Sequence, residues 1–103
     1  NRMDKKYFLT QNAEIDFENI VKYTLEEWGL NQVSIYQNQL KKRLNAIVIF
    51  PDIGRKHPQL SSDVYYISEG KHYIFYRQSD DGIEILRFLH HQMDIIKHIS
   101  EEL

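Results

Sequence analysis

The stretch from Lys71 to Asp94, KHYIFYRQSDDGIEILRFLHHQMD, constrains this chain more than any other. Two runs rich in β-branched and aromatic residues, His72 to Arg77 and Ile83 to Leu89, flank Ser79-Asp80-Asp81-Gly82, whose Asp-Gly pair accepts the positive φ of a tight hairpin. The pattern predicts a β-hairpin at the centre of a sheet. Tyr73 and Phe75 alternate with Ile74 and Tyr76, and Ile83 and Ile85 alternate with Leu86 and Phe88, so both strands are apolar on both faces. Such strands need cover, which the two helical segments upstream must supply.

Lys6 to Thr10 reads as a short strand, and Thr10 caps a helix beginning at Gln11. In that helix Phe17, Ile20, Val21, Thr24 and Trp28 recur at helical spacing and predict the buried face, while Glu14, Asp16, Glu18, Lys22, Glu26 and Glu27 are left to water. Gly29 is placed to end the helix in a left-handed conformation. Asn31 then caps a second helix with Val33, Tyr36, Leu40, Leu44, Ile47 and Val48 as its stripe and Lys41-Lys42-Arg43 at its middle, terminated by Pro51. So short a turn makes the pair an αα-hairpin suited to lie across one face of a sheet. Pro51 to Ser62 reads as an ordered surface loop, Val64 to Ile67 as a strand turned by Glu69-Gly70 into the next, and Ile95 to Ile99 as a terminal helical turn or two. The architecture expected is α+β, two layers in the order β-α-α-β-β-β, with a mainly antiparallel sheet.

A chain of 103 residues with 42% hydrophobic content fits one domain, residues 1–103, with a core adequate without staples. The absence of cysteine excludes disulfides and zinc-thiolate sites. A formal charge of -2 provides no global field to attract phosphate, and no run is apolar enough to span a membrane, so a soluble cytoplasmic protein is expected. Asn1-Arg2 carry no weight, Met3 being an alternative start. No repeat or low-complexity segment interrupts the pattern.

The blocks YTLEEWG (Tyr23 to Gly29), FPDIG (Phe50 to Gly54), HYIFYR (His72 to Arg77) and IEILRFLHHQMD (Ile83 to Asp94), in this order and spacing, resemble the ParE branch of the ParE/RelE toxins of bacterial toxin-antitoxin systems, a plasmid-stabilisation family. The resemblance implies the RelE-like fold, a toxin that poisons DNA gyrase by protein-protein contact without a cofactor or metal, and a ParD-like antitoxin that silences it. The sibling RelE branch implies instead a ribosome-dependent mRNA endoribonuclease. Cleaving RNA through its 2′-hydroxyl needs a base, a cation for the phosphate and a general acid, for which Arg77, Arg87, His90 and His91 are the candidates. Against this, Tyr65 stands where such nucleases usually carry an arginine.

Each candidate also has a structural reading. Arg77 can pair with Asp80 or Glu84 at the hairpin mouth, and His90 and His91 can cap backbone groups after the strand. Arg87 is expected to share a strand face with Ile83, Ile85 and Leu89, which calls for either an opening to solvent or a partner. His91, Asp94 and His98 have metal-ligand spacing if the tail is helical, a weak signal with no second shell to support it. Lys41, Lys42 and Arg43 read first as a solvated face, and Trp28 as core.

The toxic surface is therefore expected at Arg87, His90, His91, Gln92, Met93 and Asp94, and the antitoxin contacts at Tyr23, Trp28, Tyr36, Lys41 and Arg43, with a disordered antitoxin tail folding into the groove beside the helices. The tail is read as too short to be needed for the core. Its removal should abolish toxicity more than it destabilises the fold.

Overall fold

The hairpin forms as its residues dictate, and the remainder of the sheet is assembled around it. The structure, a computed structural model, describes residues 6–100, so Asn1, Arg2, Met3 and the last three residues of the tail lie outside it. β4 (His72–Ser79) and β5 (Gly82–His90) pair antiparallel, β3 (Tyr65–Glu69) adds antiparallel to β4, and β1 (Lys6–Leu9) lies parallel against β5 with Lys6 opposite Gly82 and Leu9 opposite Ile85. Gly82 adopts φ 136, and a Cβ there would stand 2.1 Å from the Lys6 carbonyl oxygen, so only glycine allows this approach. A two-residue strand, β2 (Arg55–Lys56), extends the sheet on the far side of β3, giving the order β1-β5-β4-β3-β2. Sequence patterning assigned β2 to loop because two exposed residues carry no period.

α1 (Gln11–Trp28) and α2 (Leu30–Ile49) form the expected hairpin, joined by Gly29 alone. Thr10 caps α1 by accepting from the Ala13 N–H at 3.1 Å while its hydroxyl donates to the Leu86 carbonyl at 2.9 Å, tying the helix start to the central strand. Gly29 has the positive φ foreseen for it, 88°, but an extended ψ of 176°, and it also serves as the N-cap of α2. Asn31 is thus inside the helix and is not its cap. The next connections shift by a residue: Val64 is buried ahead of β3, and the turn into β4 is Gly70-Lys71.

Ala13, Ile20, Leu40, Leu44 and Ile47 of the helices pack on Ile74, Tyr76, Ile83, Ile85 and Phe88. The helices cover only this face. The other face carries a second cluster, Val64, Phe75, Leu86, Leu89 and Ile99, with Leu60, Tyr66, Tyr73 and Ile95 around it. Its cover comes from the loop before β3 and from α3 (Ile95–Ser100), whose Ile99 is wholly buried. The tail is therefore part of the core, contrary to the expectation from its length.

Tyr76 pairs with Ile85 and Phe75 with Arg87, which leaves Leu86 as an extra residue in β5. This bulge resets the two-residue alternation. Ile83 and Ile85 face the helices, Leu89 faces α3, and the three do not share the single face expected around Arg87. No helix among the described residues is long and apolar enough to cross a membrane.

Candidate functional site

At the Gly29 end of the helical hairpin, a groove of about 920 Å³ opens between the helices and the ends of β4 and β5. α1 contributes Asn19, Ile20, Tyr23, Thr24 and Trp28; α2 contributes Gln32, Tyr36 and Gln39. The sheet side is made by Gly70, Lys71, His72, Phe88 and His90, and the turn after β5 by Gln92 and Met93. Trp28 continues the stripe of Ile20 and Thr24, so its spacing is that of a core residue. It is nevertheless 68% exposed, with Tyr23 at 63%. Helical periodicity gives the direction of a side chain and cannot tell whether anything is there to meet it.

One wall of the groove is pinned by Tyr36. Its hydroxyl lies 2.9 Å from the Glu69 carbonyl oxygen and 2.7 Å from His72 Nδ1. The hydroxyl has one proton and the carbonyl can only accept, so Tyr36 donates to Glu69 and His72 donates from Nδ1, leaving Nε2 unprotonated in the neutral ring. Gly70 (φ 58°) lets the ring lie this close, since a Cβ there would fall 2.6 Å from Tyr36 Cε1. Burial pushes the Tyr36 hydroxyl up to about 12 and pulls the His72 imidazole down to about 4, the latter helped by His90 and His91 and opposed by Asp16. The His90 ring meets His72 edge to face at 5.4 Å.

The groove floor is braced by an ion pair that sequence reading did not foresee. Arg87 Nε and Nη2 donate to Asp16 Oδ2 and Oδ1 at 2.6 and 3.0 Å, Nη1 donates to the His98 carbonyl oxygen at 3.4 Å, and the Phe88 N–H donates to Asp16 Oδ2 at 3.0 Å. The two side chains are 11% and 12% exposed. Asp16, expected in water, is mostly covered: β1 ends opposite Ile85, and beyond it the Phe88 N–H of β5 takes the carboxylate as its acceptor. The only hint in the sequence was an arginine inside an apolar strand, which demands a carboxylate from somewhere.

Tyr23, Trp28 and Tyr36 thus come together with His90, Gln92 and Met93 in one groove, merging two sets of candidates expected to act apart. The others lie elsewhere. Arg77 is held by Glu84 at 2.8 Å, and Arg43 by Glu69 at 3.0 Å, while Lys41 and Lys42 are exposed. The His91 ring lies tilted against Tyr73 at 4.3 Å and meets Ser68 Oγ at 3.0 Å, away from the groove. His90 Nδ1 accepts from the Gln92 N–H at 3.1 Å, capping the turn. Asp94 accepts from the Lys97 N–H at 3.2 Å just ahead of α3. His91 and Asp94 precede that helix, so their spacing to His98 is not helical, and among the described residues no group of three metal-ligating side chains converges. The residues that sequence reading passed over are Asn19, Gln32, Gln39, Lys71 and His72. Gln32-Tyr36-Gln39, spaced by four and three, was the available signal: uncharged amides bordering an apolar stripe.

Comparison with known proteins agrees with this frame. The chain is 30% identical over 98 residues to Toxin ParE1 of Mycobacterium tuberculosis, covering 94% of this chain and 100% of that one. It is 30% identical over 96 residues to Toxin ParE1 of Caulobacter vibrioides (93% and 99% covered) and 28% identical over 102 residues to Toxin ParE of Escherichia coli (94% and 95% covered). A solved chain described as the chromosomal ParDE TA system from P. aeruginosa superposes with a TM-score of 0.69 at 15% identity, covering 84% of this chain and 96% of that one, which establishes the likeness of fold. The family model for the ParE toxin of the type II toxin-antitoxin system, parDE, matches residues 7–95, and the chain therefore belongs to the ParE toxin family.

Proposed function

We propose that this chain is a single toxin domain acting in the cytoplasm by protein-protein contact on DNA gyrase, and that a ParD-like antitoxin silences it by laying a segment into the groove between the helical hairpin and the ends of β4 and β5. The observation that carries this reading is the pair of large aromatics, Trp28 and Tyr23, held exposed on the groove rim above an apolar floor of Ile20 and Phe88. Rigid exposed aromatics beside a concave apolar surface are the usual anchors of a protein interface. Asn19, Gln32, Gln39 and Gln92 add uncharged hydrogen-bonding groups at the rim. Asp16, the carboxylate lining the groove, is already engaged with Arg87.

The geometry offers less to an endoribonuclease. Arg77 lies opposite Glu84 and His90 opposite His72, five residues apart along β4, which is about 17 Å at the rise of a strand. Arg77 is thus at the opposite end of the hairpin from His90, and Arg87, on the same strand as His90, is engaged with Asp16. Purified toxin should inhibit supercoiling by gyrase and leave mRNA uncut in a translation extract. Site-specific cleavage without gyrase inhibition would overturn the reading. Trp28→Ala should weaken antitoxin binding by roughly 30-fold or more, about 2 kcal/mol, with little change in melting temperature.

A further inference from the structure

The corner between β3 and β4 is held against α2 by the Tyr36 hydroxyl on the Glu69 carbonyl, by the His72 ring and the Lys71 N–H on the Tyr36 hydroxyl, and by Arg43 on the Glu69 carboxylate. The corner residues Gly70, Lys71 and His72 form a wall of the groove, with Tyr36 facing them across it. Here the contact between helix and corner passes through a half-buried titratable ring. We propose that Tyr36 and His72 form a proton-sensitive latch, held closed by a neutral His72 and weakened in mild acid, so that acidity makes this wall of the groove open more often. The latch belongs to the wall itself and does not depend on what fills the groove.

The charges around the ring decide the sign. An added proton would go to Nε2, since Nδ1 already donates to Tyr36, so protonation leaves that hydrogen bond in place and puts a positive charge in a poorly solvated position. His90 of β5 and His91 beyond it stand against that charge, and Lys71 lies next to it in the chain. Asp16 of α1 favours it but is neutralised by Arg87, and Glu69 of β3 is shared with Arg43. With the corner swung out, the ring regains water and its ordinary affinity for protons. The closed state therefore has the lower proton affinity: closure is fully favoured above the ordinary histidine value of 6.5, weakens as pH falls, and weakens no further below about 4.

The test is hydrogen exchange on the whole chain, with protection factors corrected for the intrinsic pH dependence of exchange. From about pH 7.5 to about pH 5.5 the protection of the amides of residues 71–73 should fall roughly tenfold relative to those of Ile74 and Ile85, the ratio set by a ring that protonates only when open. His72→Asn, whose side-chain amide can still donate to Tyr36, should abolish that relative loss. Tyr36→Phe should lower protection of the corner at both pH values. Independently, the His72 Cε1 resonance of the folded protein should not titrate between about pH 7.5 and 5.5. Corner and core losing protection in parallel, a tenfold loss persisting in His72→Asn, or a His72 resonance titrating near its ordinary value would each overturn the proposal.

Discussion

Replacing Arg87 by alanine should destabilise the whole domain before it reveals anything about toxicity. The side chain is 11% exposed, holds both oxygens of Asp16 and reaches the His98 carbonyl, so it links α1, β5 and α3 at one point. Arg87→Ala leaves the Asp16 carboxylate, 12% exposed in the intact pair, with the Phe88 N–H in place of a cation. Breaking a buried pair from one side costs about 3–5 kcal/mol, against a total stability of roughly 5–15 kcal/mol for a domain of this kind. At about 4–8 °C per kcal/mol the melting temperature should drop by about 12 °C or more. Removing both charges together, Asp16→Leu with Arg87→Met, should cost much less than Arg87→Ala alone, because no charge is then stranded. The measurement is far-UV circular dichroism in urea and on heating. Trp28 fluorescence is unsuitable, since that residue is exposed in the folded protein and reports on the groove. An Arg87→Ala protein that melts within about 3 °C of wild type would refute the brace, and a double variant less stable than the single would refute the stranded-charge argument. Any effect of this substitution on target inhibition therefore has to be read against stability.

Other perturbations follow from the same contacts. Tyr76→Phe removes the donor to the Pro51 carbonyl at 2.8 Å and the acceptor of the Gly54 N–H at 3.0 Å, so it should cost about 1–3 kcal/mol in urea unfolding and expose the loop around Gly54 to limited proteolysis. Ile99→Ala, at a wholly buried position, should cost about 2–5 kcal/mol, and loss of α3 should cost at least as much, detectable as a lowered urea midpoint. Because His72 is held near 4 when folded against 6.5 when unfolded, acid should erode stability as pH falls from about 6.5 towards 4. Allowing for the water that still reaches the ring, its share from about pH 7.5 to 5.5 is about 1 kcal/mol, and His72→Asn should lack that share in urea titrations.

The sequence by itself determined the elements and their nature. Local periodicity, an Asp-Gly turn, Thr10 as cap and Gly29 as breaker each act over a few residues, and the helices and the antiparallel run of β3, β4 and β5 follow from them without reference to the remainder of the chain. The parallel place of β1 beside β5 and the short β2 do not. Four blocks in order were also enough to indicate the family to which the chain belongs. Tertiary structure alone decided which faces are met by something. Trp28 has the spacing of a core residue and lies 68% exposed on the rim of the groove; Asp16 has the spacing of a surface residue and is mostly covered, because Arg87 and the Phe88 N–H hold its carboxylate. The bulge at Leu86 reverses the sides on which Ile85 and Leu89 fall, and α3 completes a second core that the two long helices cannot reach. A period records where a side chain points. Whether it meets water, a ring or a carboxylate depends on chain ends and bulges set by residues far away in sequence, and these made one groove out of Tyr23, Trp28, Tyr36, His72 and His90.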